Sequence, residues 1–254
     1  MDNSLMDHVK ANRSKSLQFL LRIITLTCGL LFILSGIIVS PYTGVSSYYY
    51  AFLSSLLTFG IQLNKRMTEN QVSLVSRAFI NLLVTEDSGH YVLYSFFFYN
   101  QYPNIIHLFP IVLYAFLGIA RFMQEIHQLV SPSVASKLLV ISRWASVNQS
   151  PVHRFIAYCE VFTFPIMLWE ILAGHMFILA PLFYYNFLKM RYTSRRNGSV
   201  RMVFSELHTS ACFIAAHRNC PTIISSVIYK MDSVISRLNP IVTTTTPPPP
   251  PRTE

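Results

Sequence analysis

The chain has 254 residues, 12% of them charged and 52% hydrophobic, and its formal net charge is +9. A soluble domain is about 25% charged, so this composition excludes an ordinary soluble fold and points to a multi-pass membrane protein. The positive surplus suits cytosolic loops and anionic headgroups. No nucleic-acid-binding motif accompanies it, and Cys28, Cys159, Cys212 and Cys220 form no CxxC pair of the kind zinc sites use.

Residues 1–16 are polar. Leu17 to Val39 is an apolar run longer than the roughly 7–15 residues of a signal peptide's core, so it reads as a first transmembrane helix with Arg22 near its start. Ser40 to Gly44 is an uncharged turn. Tyr48 to Leu63 returns as a second helix, led by interface-favouring tyrosines. In the connecting segment, Leu74, Val75, Ala78, Phe79 and Leu82 follow helical spacing and predict an amphipathic surface helix.

From Ser88 to Ala120 there is no Asp, Glu, Lys or Arg. This run exceeds one straight crossing, which needs about 20 residues, and falls short of two. Asn100 to Asn104 breaks it, because Pro103 offers no backbone N–H and disfavours helix at Tyr102. Two arrangements stay open here: a polar approach into one helix from about Asn104, or two short helices forming a shallow hairpin.

Pro132 starts a short helix through Trp144. Phe155 to Leu188 fits a helix to Leu172, a bend at Gly174 and a shorter return containing Pro181, the favoured form, or else one long helix. Lys189 to Arg201 carries five positive charges and no acid, which places it in the cytosol.

Two amphipathic stretches follow, one with Val200, Val203, Phe204, Leu207, Ala211 and Ile214, the other with Ile224, Val227, Ile228, Met231, Val234, Ile235 and Leu238. They are too polar to span and suit the headgroup plane, with packing on the protein's own loops as the alternative. The expected membrane-binding surface is therefore Lys189, Arg191, Arg195, Arg196 and Arg201, with Val203, Phe204, Leu207, Ile224, Val227, Ile228, Met231, Ile235 and Leu238. The Thr/Pro tail from residue 241 predicts no packed structure.

Every long polar segment is neutral or basic, while the turns near Gly44 and Gly174 are uncharged. The simplest topology puts all basic segments on the cytosolic side, joined by membrane hairpins. Glu160, Glu170 and His175 lie in one apolar region, His90 and His107 in another. Intramembrane ionisable residues are functional candidates, yet no HExxH or histidine box frames them. They read as polar glue between helices, with a channel or transporter subunit using Glu160, Glu170 and His175 as the alternative. No catalytic, cofactor or metal residues are expected. Tyr91, Tyr94, Tyr99, Tyr102, Tyr184 and Tyr185 read as interfacial anchors.

The strings EDSGHYVLYS and NQYPNIIHLFPIVLYAFL, with PLFYYNFLKMRYTSRRNGSVRMVFSELH at 181–208, resemble the transmembrane protein 33 family of endoplasmic reticulum and nuclear-envelope proteins. The motif positions are Glu86, Asp87, His90, Tyr91, Tyr94, Tyr102, Pro103, Pro110, Arg191, Tyr192, Ser194, Arg195, Arg196, Glu206 and Leu207. The resemblance implies residence in those two membranes, tubular membrane organisation with reticulon-type partners, a role in nuclear pore distribution, and a link to the unfolded-protein response. The expected fold is all-α and multi-pass, with hairpin-like helices. A polar segment (1–16) precedes a transmembrane domain (17–188), a basic amphipathic region (189–240) and a tail (241–254). The expected partner surface is the anionic cytosolic leaflet.

Overall fold

The computed structural model describes residues 10–38, 41–194 and 198–215. The described residues form helices without strands: α1 (Arg13–Ile38), α2 (Pro41–Glu69), α3 (Arg77–Thr85), α4 (Asp87–Tyr99), α5 (Ile105–Ile126), α6 (Pro132–Val147), α7 (Gln149–Leu172), α8 (Ala180–Thr193) and α9 (Gly198–Ala215). The chain is an all-α, multi-pass membrane protein. Within it α1, α5 and α7 are long and apolar enough to cross a membrane. The chain divides into two compact units, 1–203 and 204–254. The described part of the second is the remainder of α9.

The first unit is built from three hairpins. Gln62 near the end of α2 donates to Gln18 near the start of α1 at 3.4 Å, so these helices run antiparallel. Between α4 and α5, Tyr94 donates to the His107 carbonyl at 2.8 Å, and Tyr91 meets Tyr114 at a ring distance of 4.4 Å. As position falls on α4 it rises on α5, so the uncharged run is two helices folded against each other, with the break at Asn100–Asn104. Each alternative is met in part: the stretch before the break is a helix folded back on α5, while α5 itself starts just after Asn104 and is long and apolar enough to cross a membrane. The third hairpin is α7–α8, where Tyr184 donates to the Glu160 carbonyl at 2.7 Å.

Local chemistry sets these turns. Asn104 caps α5 by accepting from the Ile106 N–H at 3.0 Å. Gly174 ends α7 in the left-handed region (φ 75°), with the Gly174 N–H on Ile171 and the His175 N–H on Glu170, each at 2.9 Å. This is the paired closure that favours glycine just past a helix end. Beyond it Pro181 sits in the first turn of α8, as the bend reading expects.

Several boundaries differ from expectation. Helix α2 already begins at Pro41, inside the Ser40–Gly44 stretch expected as a turn. Helix α3 begins only at Arg77, capped by Ser76; Leu74 and Val75 precede it and are exposed. The serine side chain satisfies the Phe79 N–H and so starts the helix later than the apolar spacing does. Helix α6 matches its expected start at Pro132 and runs on to Val147.

The core of the first unit is aromatic: Tyr48, Phe52, Tyr91, Tyr94, Phe98 and Tyr184 pack with Leu108, Ile111, Met167 and Phe187. Tyr91, Tyr94 and Tyr184, expected at the interface, are 0–2% exposed. Their hydroxyls have polar partners deep inside, so nothing draws them outward. Tyr99, Tyr102 and Tyr185 are exposed, as an interfacial anchor requires.

Candidate functional site

The face of α8 at Tyr184, Phe187, Leu188 and Arg191 follows a single i, i+3, i+4, i+7 stripe, and all four residues are buried. Arg191 is 1% exposed, which is costly for a guanidinium unless its charge and donors are matched. The stripe on α7 supplies the match. Ile156, Ala157, Glu160, Thr163 and Met167 are buried together, and Glu160 is 0% exposed.

Arg191 grips Glu160 with two parallel bonds, Nε to Oε2 at 3.1 Å and Nη2 to Oε1 at 2.9 Å. The planar fork fits a carboxylate in a way an ammonium does not. Nη1 donates to Asp87 Oδ1 at 2.9 Å, and the second Nη2 hydrogen is shared between the Tyr91 and Tyr114 hydroxyls, each 3.3 Å away. Tyr91 also donates to Glu160, and its ring lies 5.0 Å from the guanidinium carbon. Phe59 of α2 stacks on Tyr91 at 4.9 Å. One charge pair thus draws side chains from α4, α5, α7 and α8, with α2 packed beside it.

Asp87 and Tyr91 belong to the first resembling string and Arg191 to the last. The structure joins the two strings at one point, where Arg191 bonds Asp87 and Tyr91 directly and Glu160 binds both Arg191 and Tyr91. Arg191 and Val203, both expected on the membrane surface, lie inside the first unit instead. Arg191 continues the buried stripe of α8, and that periodicity was a stronger signal than the basic run it belongs to. Lys189 remains exposed. Arg201 donates to the Ser194 carbonyl at 2.8 Å. Arg195, Arg196, Ile224, Val227, Ile228, Met231, Ile235 and Leu238 lie outside the described residues. The sequence did not single out Tyr114, and it marked Asn104 only as the end of the break, not as a partner of Glu170.

At the turn end sits a second buried polar group. Asn104 Nδ2 donates to Glu170 Oε1 at 2.6 Å, while the buried His107 Nε2 stands 3.8 Å from Glu170 Oε2. Phe98 stacks on His107 at 4.2 Å, and Tyr102 on His175 at 4.9 Å. Glu160 lies ten residues before Glu170 on α7, about 15 Å along the axis. Glu160, Glu170 and His175 therefore do not converge. His90 Nε2 meets the Val84 carbonyl at 2.5 Å, where α4 abuts α3. Pro110 is buried within α5. Among the described residues no group of three or more His, Cys, Asp or Glu is placed to hold a metal.

At the opposite end a cavity of about 730 Å³ opens between the start of α1, the end of α2, the start of α4, the end of α5 and the start of α7. The free ends of these helices thus gather around one opening, and Arg191 brings the end of α8 to the same level at Asp87.

Residues 1–241 match the family model described as Transmembrane protein 33/Nucleoporin POM33. The chain is 32% identical over 231 residues to Transmembrane protein 33 of Rattus norvegicus, covering 91% of this chain and 92% of that one. It is likewise 32% identical to Transmembrane protein 33 homolog of Caenorhabditis elegans, covering 94% and 87%. Krueppel homolog 2 of Drosophila melanogaster is 27% identical over 93% and 82%. No solved structure matches.

Proposed function

The chain belongs to the Transmembrane protein 33/Nucleoporin POM33 family, and from that premise we propose that it is a non-enzymatic organiser of the endoplasmic reticulum and nuclear-envelope membranes. In this reading it shapes tubular membrane with reticulon-type partners, acts in the distribution of nuclear pores, and is linked to the unfolded-protein response. The nucleoporin in the family description supports the pore role.

The observation that carries the reading is the set of hairpins with both ends at one level. Helices α4 and α8 have 13 and 14 residues, about 20 Å each, against a hydrocarbon core of about 30 Å. Each short arm is paired with a longer one, α5 or α7, that is long enough to cross the core, so these uneven hairpins add more helix to the cytosolic leaflet than to the other. The α7–α8 turn suits that depth: Trp169, Leu172, Phe177, Ile178, Leu182 and Phe183 are all exposed. The amphipathic region through residue 238 then adds area at the headgroup plane.

The test reconstitutes the full chain, and a form lacking 200–238, into flat and highly curved vesicles. The full chain should tubulate or partition toward the curved ones, and the deletion should partition less. Equal partitioning of both forms would remove the contribution assigned to 200–238. Absence of curvature preference in the full chain would remove the shaping role.

A further inference from the structure

We infer that the cavity at the basic end is a binding site for a polyphosphorylated headgroup, taken from a membrane lipid in the leaflet that the helix ends face. Its wall carries Arg13, Lys15, Arg22, Lys65, Arg66 and Arg121 against Glu69, Glu86, Asp87 and Glu125. The acids are largely engaged. Lys15 pairs with Glu125 at 2.8 Å, Lys65 and Arg66 share Glu69 at 3.7 and 3.1 Å, Arg66 lies 4.0 Å from Glu86, and Asp87 holds Arg191 at 2.9 Å. Arg13, Arg22 and Arg121 make no ion pair among the described residues. Three guanidiniums with no carboxylate at ion-pair distance, around one opening, suit phosphate monoesters, which accept forked donors.

The shape agrees with the charge. A volume of about 730 Å³ fits a sugar-sized ring bearing phosphates, within the roughly 300–1,000 Å³ of small-molecule sites. Arg22 is fixed at the wall, because its Nη1 donates to the Gly118 carbonyl at 3.3 Å. The guanidinium rests on Gly118 so closely that a Cβ there would meet its Cζ at 2.5 Å. The glycine therefore holds an arginine in place beneath the opening. The cavity opens at the ends of the spanning helices α1, α5 and α7, where headgroups would lie, and reaches inward to Thr25, Ser55 and Ile111. Its position at a bilayer surface rests on the hairpin reading above.

The experiment measures binding of the purified full chain, in nanodiscs, to a phosphatidylinositol bisphosphate, to phosphatidylserine at equal total charge, and to soluble inositol hexakisphosphate. Arg13→Gln with Arg121→Gln alters only exposed side chains, as does the control Lys137→Gln with Arg143→Gln on α6. The cavity variant should lose about tenfold in affinity for the bisphosphate lipid, with little change for phosphatidylserine, and the control should lose nothing comparable. Gly118→Ala, which keeps every charge but displaces Arg22, should weaken the same interaction. Competition by the soluble polyphosphate would support recognition of the headgroup. Tight binding of the soluble compound without any of the lipid would overturn the lipid source. Equal losses in the cavity and control variants would overturn the site, leaving only general attraction to negative surfaces. Hairpin sidedness is mapped separately by labelling, so failure here and failure of the hairpin reading are told apart.

Discussion

The two ends of the first unit each bury a glutamate of α7, and they treat it differently. Near the basic end, Glu160 meets a two-pronged arginine, and Tyr91 donates to the same carboxylate. At the turn end, Glu170 meets an asparagine amide on one oxygen, and its other oxygen has no hydrogen-bond partner among the described residues. The first arrangement ties four helices through full charge pairing. The second ties one helix cap to one helix end through a single hydrogen bond. Two buried residues of the same type, Glu160 at 0% and Glu170 at 7% exposure, therefore carry unequal structural weight, and the charged partner makes most of the difference.

The strongest way to break this contrast is to remove one member of the pair. Arg191→Met leaves the Glu160 carboxylate buried without its cation and should cost about 3–5 kcal/mol. Thermal unfolding in detergent, read by a thiol-reactive dye on the buried Cys159, checks this. Replacing both partners, Glu160→Met with Arg191→Met, should recover more than half of the loss, since no buried charge then stands alone on that pair.

A smaller loss should follow from disturbing how Asp87 and Tyr91 are delivered. A Cβ on Gly89 would lie 2.7 Å from Leu83 Cα and against further backbone of α3, which cannot swing aside as a side chain does. Gly89→Ala should cost about 1–3 kcal/mol by the same assay. Asp87→Asn should cost less, about 0.5–1 kcal/mol, because Asp87 is 45% exposed and its attraction to Arg191 is screened. The turn end should respond least: Glu170→Gln keeps a carbonyl oxygen for Asn104 and should change stability by under about 1 kcal/mol. A Glu170→Gln loss as large as that of Arg191→Met would erase the distinction between the ends.

Much of the fold was legible in the residues because each signal was local. The break at Asn100–Asn104, the bend at Gly174 and the start at Pro132 all follow from backbone chemistry that holds whatever packs nearby. The start of α3 escaped because a single serine cap outweighed apolar spacing. The central charge pair was half visible. Glu160 stood out as an acid in an apolar run, while Arg191 was hidden by the basic residues around it. Its partner lies 31 positions away, and only the α7–α8 fold brings them together. Tyr91 and Tyr184 read as interfacial because a tyrosine hydroxyl needs a polar partner; here Glu160 is that partner, inside the protein.

The central claim is that all the hairpins open toward the same side of the membrane. Single cysteines at Asn64, Ser136 and Ser199, and one at Phe177 in the α7–α8 turn, placed in a chain without its native cysteines and inserted in sealed microsomes, test it directly. Labelling of Asn64, Ser136 and Ser199 by an impermeant reagent from the cytosolic side, with Phe177 protected, is the expected result. Protection of Ser136 while Asn64 and Ser199 label would mean that the 88–120 run crosses the membrane, and would contradict the account.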